Sequence, residues 1–126
     1  MNIAIFGMGY VGCVTAACLI KQGHNVIGVD VIESKIGELK KGKWPIYEPG
    51  LHELNSPESM KDRFFATVDD EKALQDSEVL LICVGTPDMS DGEVDISYLK
   101  SVLATIRTYV KKNSRKYYIL IRSTVP

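Results

Sequence analysis

Short apolar runs alternate along this chain with longer stretches whose apolar residues recur at helical spacing. Residues 2–6 read as a strand, and residues 10–22 as a helix with Gly23 as its stop. Residues 25–29 form the next strand and residues 32–41 the next helix. The run 79–84 is almost continuously apolar, as expected of a strand buried on both faces. Asp95 can cap a helix reaching about Lys112, because Ile96, Leu99, Val102, Leu103, Ile106 and Val110 fall on one face. Residues 117–121 are the last strand. Between the two halves, residues 44–51 hold two prolines and a glycine and read as a loop. A short helix over 58–63, a small strand over 65–67 and a second short helix over 70–75 fill the remainder.

Strands alternating with helices imply βαβ units, right-handed crossovers and a parallel sheet. The pattern therefore predicts an α/β domain of three layers, with about five strands in a doubly wound parallel sheet. A strand order of 3-2-1-4-5 would open the ligand crevice between strands 1 and 4. The 126 residues suit a single domain. The last strand leads directly into Ser123-Thr124-Val125-Pro126, where a complete doubly wound domain would continue with another helix. The chain is accordingly expected to be a piece of a longer protein.

The turn after strand 1 is Gly7-x-Gly9-x-x-Gly12. Alone this pattern is weak. Here a strand precedes it, a helix follows, and Asp30 ends the second strand at the spacing a dinucleotide fingerprint requires. Gly7 permits the tight turn, Gly9 lets backbone approach a pyrophosphate, and Gly12 allows close packing of helix on sheet. The N–H groups of Tyr10 and Val11, aided by the helix dipole, are candidates to hold the phosphates. Asp30 can accept from both hydroxyls of an adenosine ribose and would repel a 2′-phosphate, so the expected cofactor is NAD rather than NADP. Lys35, one turn into the next helix, could reach the same ribose. These features predict a Rossmann-type NAD-binding domain.

Composition narrows the partners. Apolar residues make up 45% and charged residues 25%, enough for a packed core, and the net charge of -1 gives no reason to expect nucleic acid or a membrane surface. Lys40, Lys41 and Lys43 read as a solvated helix end. No segment is long and apolar enough to span a bilayer, and the run from Ile3 is broken at once by glycines, unlike a signal peptide. The expected compartment is the cytoplasm. Cys13, Cys18 and Cys83 form no C-x-x-C pair, and all three are expected to be buried packing residues. No cluster has metal-ligand spacing, so no metal is expected. His24 reads as a capping or surface residue, and His52 has no visible partner.

Three further segments stand out: Pro45-Ile46-Tyr47-Glu48-Pro49-Gly50-Leu51, Cys83-Val84-Gly85-Thr86-Pro87, and Arg122-Ser123-Thr124-Val125-Pro126. The last two end strands 4 and 5, on the sheet edge where ligands bind. Together with Ile5-Phe6-Gly7-Met8-Gly9-Tyr10-Val11-Gly12 and Gly28-Val29-Asp30, they make the chain resemble, over nearly its whole length, the UDP-glucose/GDP-mannose dehydrogenase family. That resemblance implies oxidation of C6 of a nucleotide sugar from alcohol to carboxylate with two NAD in succession. A cysteine nucleophile would pass through a thiohemiacetal and a thioester. It also implies a role in polysaccharide biosynthesis and a homodimeric parent. Tyr10, Val11, Asp30, Lys35, Thr86 and Thr124 are the NAD contacts it implies, Thr124 lying nearest the nicotinamide with a possible auxiliary role in placing water.

Two departures bear on function. The family's Gly-rich motif with the catalytic cysteine does not occur here, and Cys83, on a buried strand, cannot replace it. The segments for sugar binding and dimerisation are missing as well. The 126-residue piece is thus expected to bind NAD without turning over. I-C-V-G-T-P and I-R-S-T-V lean toward the GDP-mannose branch, but the residues leave GDP-mannose and UDP-glucose both open. Two other readings stay open. A 3-hydroxyacid or 6-phosphogluconate dehydrogenase shares the glycine loop, but usually carries a basic residue where Val31 and Ile32 follow Asp30. A non-catalytic nucleotide-sensing module, as in potassium transport regulation, shares the loop and the Asp but not E-P-G-L or V-G-T-P.

Overall fold

The computed structural model describes residues 1–85, 90, 92 and 95–122. Ten elements follow in order: β1 (Asn2–Phe6), α1 (Tyr10–Lys21), β2 (Asn25–Val29), α2 (Glu33–Lys40), α3 (Pro57–Arg63), β3 (Phe64–Thr67), α4 (Asp70–Asp76), β4 (Val79–Ile82), α5 (Ser97–Asn113) and β5 (Tyr118–Ile121). The strands form one parallel sheet in the order β3-β2-β1-β4-β5. The predicted order and each predicted element are present, with ends that coincide or shift by one or two residues.

The alternation of side chains along each strand feeds two separate cores. Ile3, Ile5, Val26 and Ala66 point to one face, where α1, α2 and α3 contribute Cys13, Ala17, Ile20, Ile36, Leu39 and Met60. Ala4, Phe6, Ile27, Val29, Leu80 and Ile82 point to the other, against Ala73 and Leu74 of α4 and Leu99, Val102 and Ile106 of α5. Two cores on one sheet make the three-layer arrangement. Each buried Ile, Leu or Phe contributes about 1.5–3 kcal/mol by leaving water.

The ends of the helices have local causes. The Gly23 N–H donates to Ile20 O (2.9 Å) and the His24 N–H to Leu19 O (3.1 Å), with Gly23 at φ 94°. This is the Schellman arrangement, so Gly23 stops α1 as its position predicts. His24 also sits 3.4 Å from the chain's amino terminus through Nδ1. Ser56 caps α3 by accepting the Ser59 N–H, with Pro57 at the first helical position, so α3 starts one residue before Glu58. Asp69 caps α4 through the Lys72 N–H (3.2 Å). Asp95 accepts the Ser97 N–H (2.9 Å), and α5 begins at Ser97.

One expectation fails. Cys13 and Cys83 are buried, but Cys18 is exposed. The buried stripe of α1 is Gly12, Cys13, Ala16, Ala17 and Ile20, and at 3.6 residues per turn Cys18 lies about 140° round from Cys13. Val11, two turns earlier, is exposed on the same side. The apolar composition of this helix conceals a real solvent face.

At the β5 edge of the sheet no further strand pairs among the described residues. β5 pairs with β4 in register, yet Tyr118, Ile119, Leu120 and Ile121 are all exposed. Tyr117, just before it, is held by its hydroxyl to Leu74 O and by the Arg115 guanidinium 5.0 Å above its ring. Arg115 also donates to Gln75 O (3.1 Å) and Ser77 O (2.8 Å), tying the approach to β5 onto the end of α4.

Candidate cofactor site

The turn from β1 to α1 is built by close backbone approaches. Gly7 has φ 99° and donates to Val29 O (2.8 Å), and a Cβ there would lie 2.7 Å from the Cys83 carbonyl carbon and oxygen. At Gly12 a Cβ would lie 1.9 Å from Gly7 O. These two glycines let the loop, α1 and the end of β4 meet without side chains between them. Gly9 is different: among the described residues a Cβ there would meet no atom within 4 Å. The space beside it is open.

Gly9 is also the N-cap of α1, and no side chain caps the helix. Its first turn carries no acidic residue. The N–H groups there are therefore not satisfied by a capping carboxylate or hydroxyl, and the positive end of a twelve-residue helix faces the open space. That combination fits an anionic ligand backbone.

Asp30, which directly follows β2, is 7% exposed. Its Oδ2 accepts the Met8 N–H (2.8 Å) and its Oδ1 accepts the Ile32 N–H (3.0 Å). The carboxylate thus staples the glycine turn to the end of β2, a structural role the spacing did not reveal. Two backbone donors leave acceptor capacity on an ionised carboxylate, which offers about four lone-pair sites. Lys35 Nζ lies 3.9 Å from Oδ2, which places the cation beside the same carboxylate.

These groups share one crevice of about 560 Å³ at the carboxyl end of β1 and β4. Gly7, Gly9, Tyr10, Val11, Asp30 and Lys35 all line it, while Gly12 acts from behind through packing. Thr86 and Thr124 lie outside the described residues. The crevice also takes in Val31, Ile32, Tyr98 and Arg122, which sequence reasoning did not assign to binding. A signal existed for Tyr98: it lies in the first turn of α5 but off the apolar series beginning Ile96, Leu99. Its phenol is raised by burial and by the charges of Asp30 and Asp70. Arg122 follows β5 and reaches Thr15 Oγ1 of α1 (3.3 Å). A depression of about 700 Å³ between α4 and α5 is larger, but it touches none of the glycine turn.

Cys83 lines the crevice too, but it is 9% exposed and burial raises its thiol, with Arg122 opposing. Cys13 is raised to about 12, chiefly by burial, with Lys35 lowering it and Asp30 raising it. Both are held in the unreactive thiol form near neutral pH. Among the described residues no group of three or more His, Cys, Asp and Glu could hold a metal, and no helix is long and apolar enough to cross a membrane.

Fold and crevice together define a Rossmann-type dinucleotide-binding domain of the dehydrogenase kind. The chain belongs to the UDP-glucose/GDP-mannose dehydrogenase family, whose NAD binding domain matches residues 1–126. It is 45% identical over 99% of its length to the GDP-mannose 6-dehydrogenase of Pseudomonas aeruginosa, and spans 29% of that protein. It is 37% identical over its full length to the UDP-glucose 6-dehydrogenase of Bacillus subtilis, of which it spans 28%. A crystal structure of a ternary complex of the Pseudomonas aeruginosa GDP-mannose dehydrogenase superposes with a TM-score of 0.92, over 99% of this chain and 29% of that one. Membership in this family displaces the hydroxyacid-dehydrogenase and nucleotide-sensor readings.

Proposed function

We propose that this domain holds NAD for the oxidation of a nucleotide sugar at C6, the alcohol becoming a carboxylate in the whole protein. The observation that carries this reading is the meeting, in one crevice, of an uncapped α1 N-terminus beside open space at Gly9 with the buried carboxylate of Asp30. The N–H groups of Tyr10 and Val11 receive the pyrophosphate. Asp30 accepts from the adenosine ribose hydroxyls with Lys35 beside it, and Val31, Ile32 and Tyr98 supply apolar surface on the same side. A 2′-phosphate would face the Asp30 carboxylate, so NAD is preferred to NADP. By the same family likeness, Thr86 contacts the cofactor's central region and Thr124 the nicotinamide end, with an auxiliary role in placing water. When bound, NAD supplies the hydride acceptor.

This chain's own cysteines do not supply the nucleophile. Cys13 and Cys83 are buried thiols, and Cys18, though exposed, is not among the residues lining the crevice. The 126-residue chain accordingly binds NAD and does not turn over. Steady NADH formation from it with GDP-mannose or UDP-glucose would refute this. Of the two sugars GDP-mannose is favoured by the higher identity to GDP-mannose 6-dehydrogenases. We place the whole protein in the cytoplasm as a homodimer serving polysaccharide synthesis. Parallel fluorescence titrations with NADH and NADPH test the cofactor assignment. NADH binding at least about tenfold tighter is expected, about 1.4 kcal/mol, and tighter NADPH binding overturns it.

A further inference from the structure

The side chain of Tyr10 leaves the first position of α1 and lines the crevice, and its hydroxyl donates to Glu48 Oε2. Glu48 belongs to the segment between α2 and α3 that carries Glu48-Pro49-Gly50-Leu51. Several contacts anchor this segment. Trp44 and Leu51 are buried in the core on the α1 side of the sheet, and Trp44 packs on Phe64 with ring centroids 5.6 Å apart. The Leu51 N–H donates to Glu48 O (3.1 Å), and Asn55 Nδ2 donates to Ala17 O of α1 (3.0 Å). Glu48 is thus presented by a fixed loop to a tyrosine that is otherwise half-exposed. The hydrogen bond to Glu48, followed by burial and the charge of Glu48, raises the Tyr10 phenol.

A tyrosine at the mouth of a crevice, with nothing to hold its ring, samples several rotamers. Ligand binding must then order it, which weakens binding by about two- to tenfold for one such side chain. A fixed acceptor at the hydroxyl removes that cost in advance. We infer that Glu48 is a positioning residue for the cofactor: its carboxylate fixes the Tyr10 ring as a wall of the crevice, so that the E-P-G-L loop and the phosphate-binding turn act as one unit. This rests on reading the crevice as the NAD site. It assigns work to the Tyr10 side chain beyond that of its backbone N–H, and to a motif otherwise unexplained.

The test is a double-mutant cycle on the 126-residue chain, reading the dissociation constant of NADH by fluorescence. Tyr10→Phe and Glu48→Ala should each weaken NADH binding about two- to tenfold, and the double variant no further than either single one. Glu48→Gln keeps an acceptor and should stay within about twofold of the wild type. Burial also raises the phenols of Tyr98 and Tyr117, so an ultraviolet titration should show one late-titrating phenol fewer in Tyr10→Phe, and in Glu48→Ala one of them returning toward the ordinary tyrosine range. Unchanged NADH affinity in both single variants, additive losses, or a Gln variant as weak as the Ala variant would overturn the role of Glu48. A wild-type chain that binds no NADH would instead sink the reading of the crevice itself, and the positioning role with it.

Discussion

A methyl group added at Gly12 and one added at Gly9 should do opposite things. At Gly12 the new Cβ would stand 1.9 Å from Gly7 O and 3.0 Å from Gly7 C, both backbone atoms of a turn that the backbone of Cys83 and Val84 also presses. An ordinary carbon–oxygen contact is over an ångström longer, so α1 must lift off the loop or the loop must leave Cys83. Overpacking of this kind costs about 1–3 kcal/mol, and two rigid backbones place this site at the upper end. At about 4 °C per kcal/mol for a domain of this size, Gly12→Ala should lower Tm by about 10 °C. At Gly9 an added Cβ meets no atom of the described residues within 4 Å, and φ is -83°, a value alanine adopts freely. Gly9→Ala should therefore cost under about 1 kcal/mol, the difference between glycine and alanine as an N-cap. If the open space receives a pyrophosphate, the same methyl blocks it and weakens NADH binding by about tenfold or more. Circular-dichroism melting and NADH titration of both variants decide the matter. A Gly9→Ala chain that binds NADH like the wild type would refute the claim that ligand backbone passes beside Gly9. Equal Tm losses in both variants would make the loop a packing turn only.

Other outcomes follow from single groups. Asp30→Asn should relax the preference for NADH over NADPH in a competitive titration, since the repelling charge is gone while most of the volume stays. Ser77 is 1% exposed and its Oγ has no partner among the described residues, so Ser77→Ala should be neutral or stabilising by up to about 1 kcal/mol in urea unfolding; a loss would show that the hydroxyl is in fact satisfied. Cys13 ionises only near 12 when folded but from about 9 when unfolded, so the unfolded chain loses its proton first and this thiol's contribution to stability falls between those values. Cys13→Ala should flatten the decline of stability from pH 9 upward, and an unchanged slope would count against the assignment. Arg115→Ala should cost about 2 kcal/mol through the two carbonyls of Gln75 and Ser77, with Arg115→Lys a poor rescue because it lacks the forked donor geometry.

Much of the fold is legible in the sequence because it rests on local chemistry. β1 and β2 coincide with their apolar runs, and Gly23 closes α1 by a motif confined to a few residues. The turn at Gly7–Gly12 and Asp30 is legible for the same reason, since strand, turn, helix and acid lie close in the chain. What local pattern does not carry is tertiary. Glu48 meeting Tyr10, and Tyr98 and Arg122 entering the crevice, depend on elements far apart in sequence, and Asp30 accepting the Met8 N–H depends on how β2 pairs beside β1. Cys18 is misread for a different reason: residue type argues for burial, but the position on the helix decides it. In the α3 region the Ser56-Pro57 cap was a usable signal that α3 begins at Pro57.

The exposed β5 strand has a practical consequence for handling the 126-residue chain. Four consecutive apolar residues, exposed on both faces, end a sheet whose outer backbone groups pair with no other described strand. Such an edge is a template for intermolecular pairing, and neither a proline nor a charge interrupts it. The charges of Lys116 and Arg122 flank the strand without entering it. The shelf life of concentrated samples should therefore be set by Tyr118–Ile121 and not by the cofactor crevice. A lysine in place of Leu120 is the change expected to extend it, as light scattering over time would show.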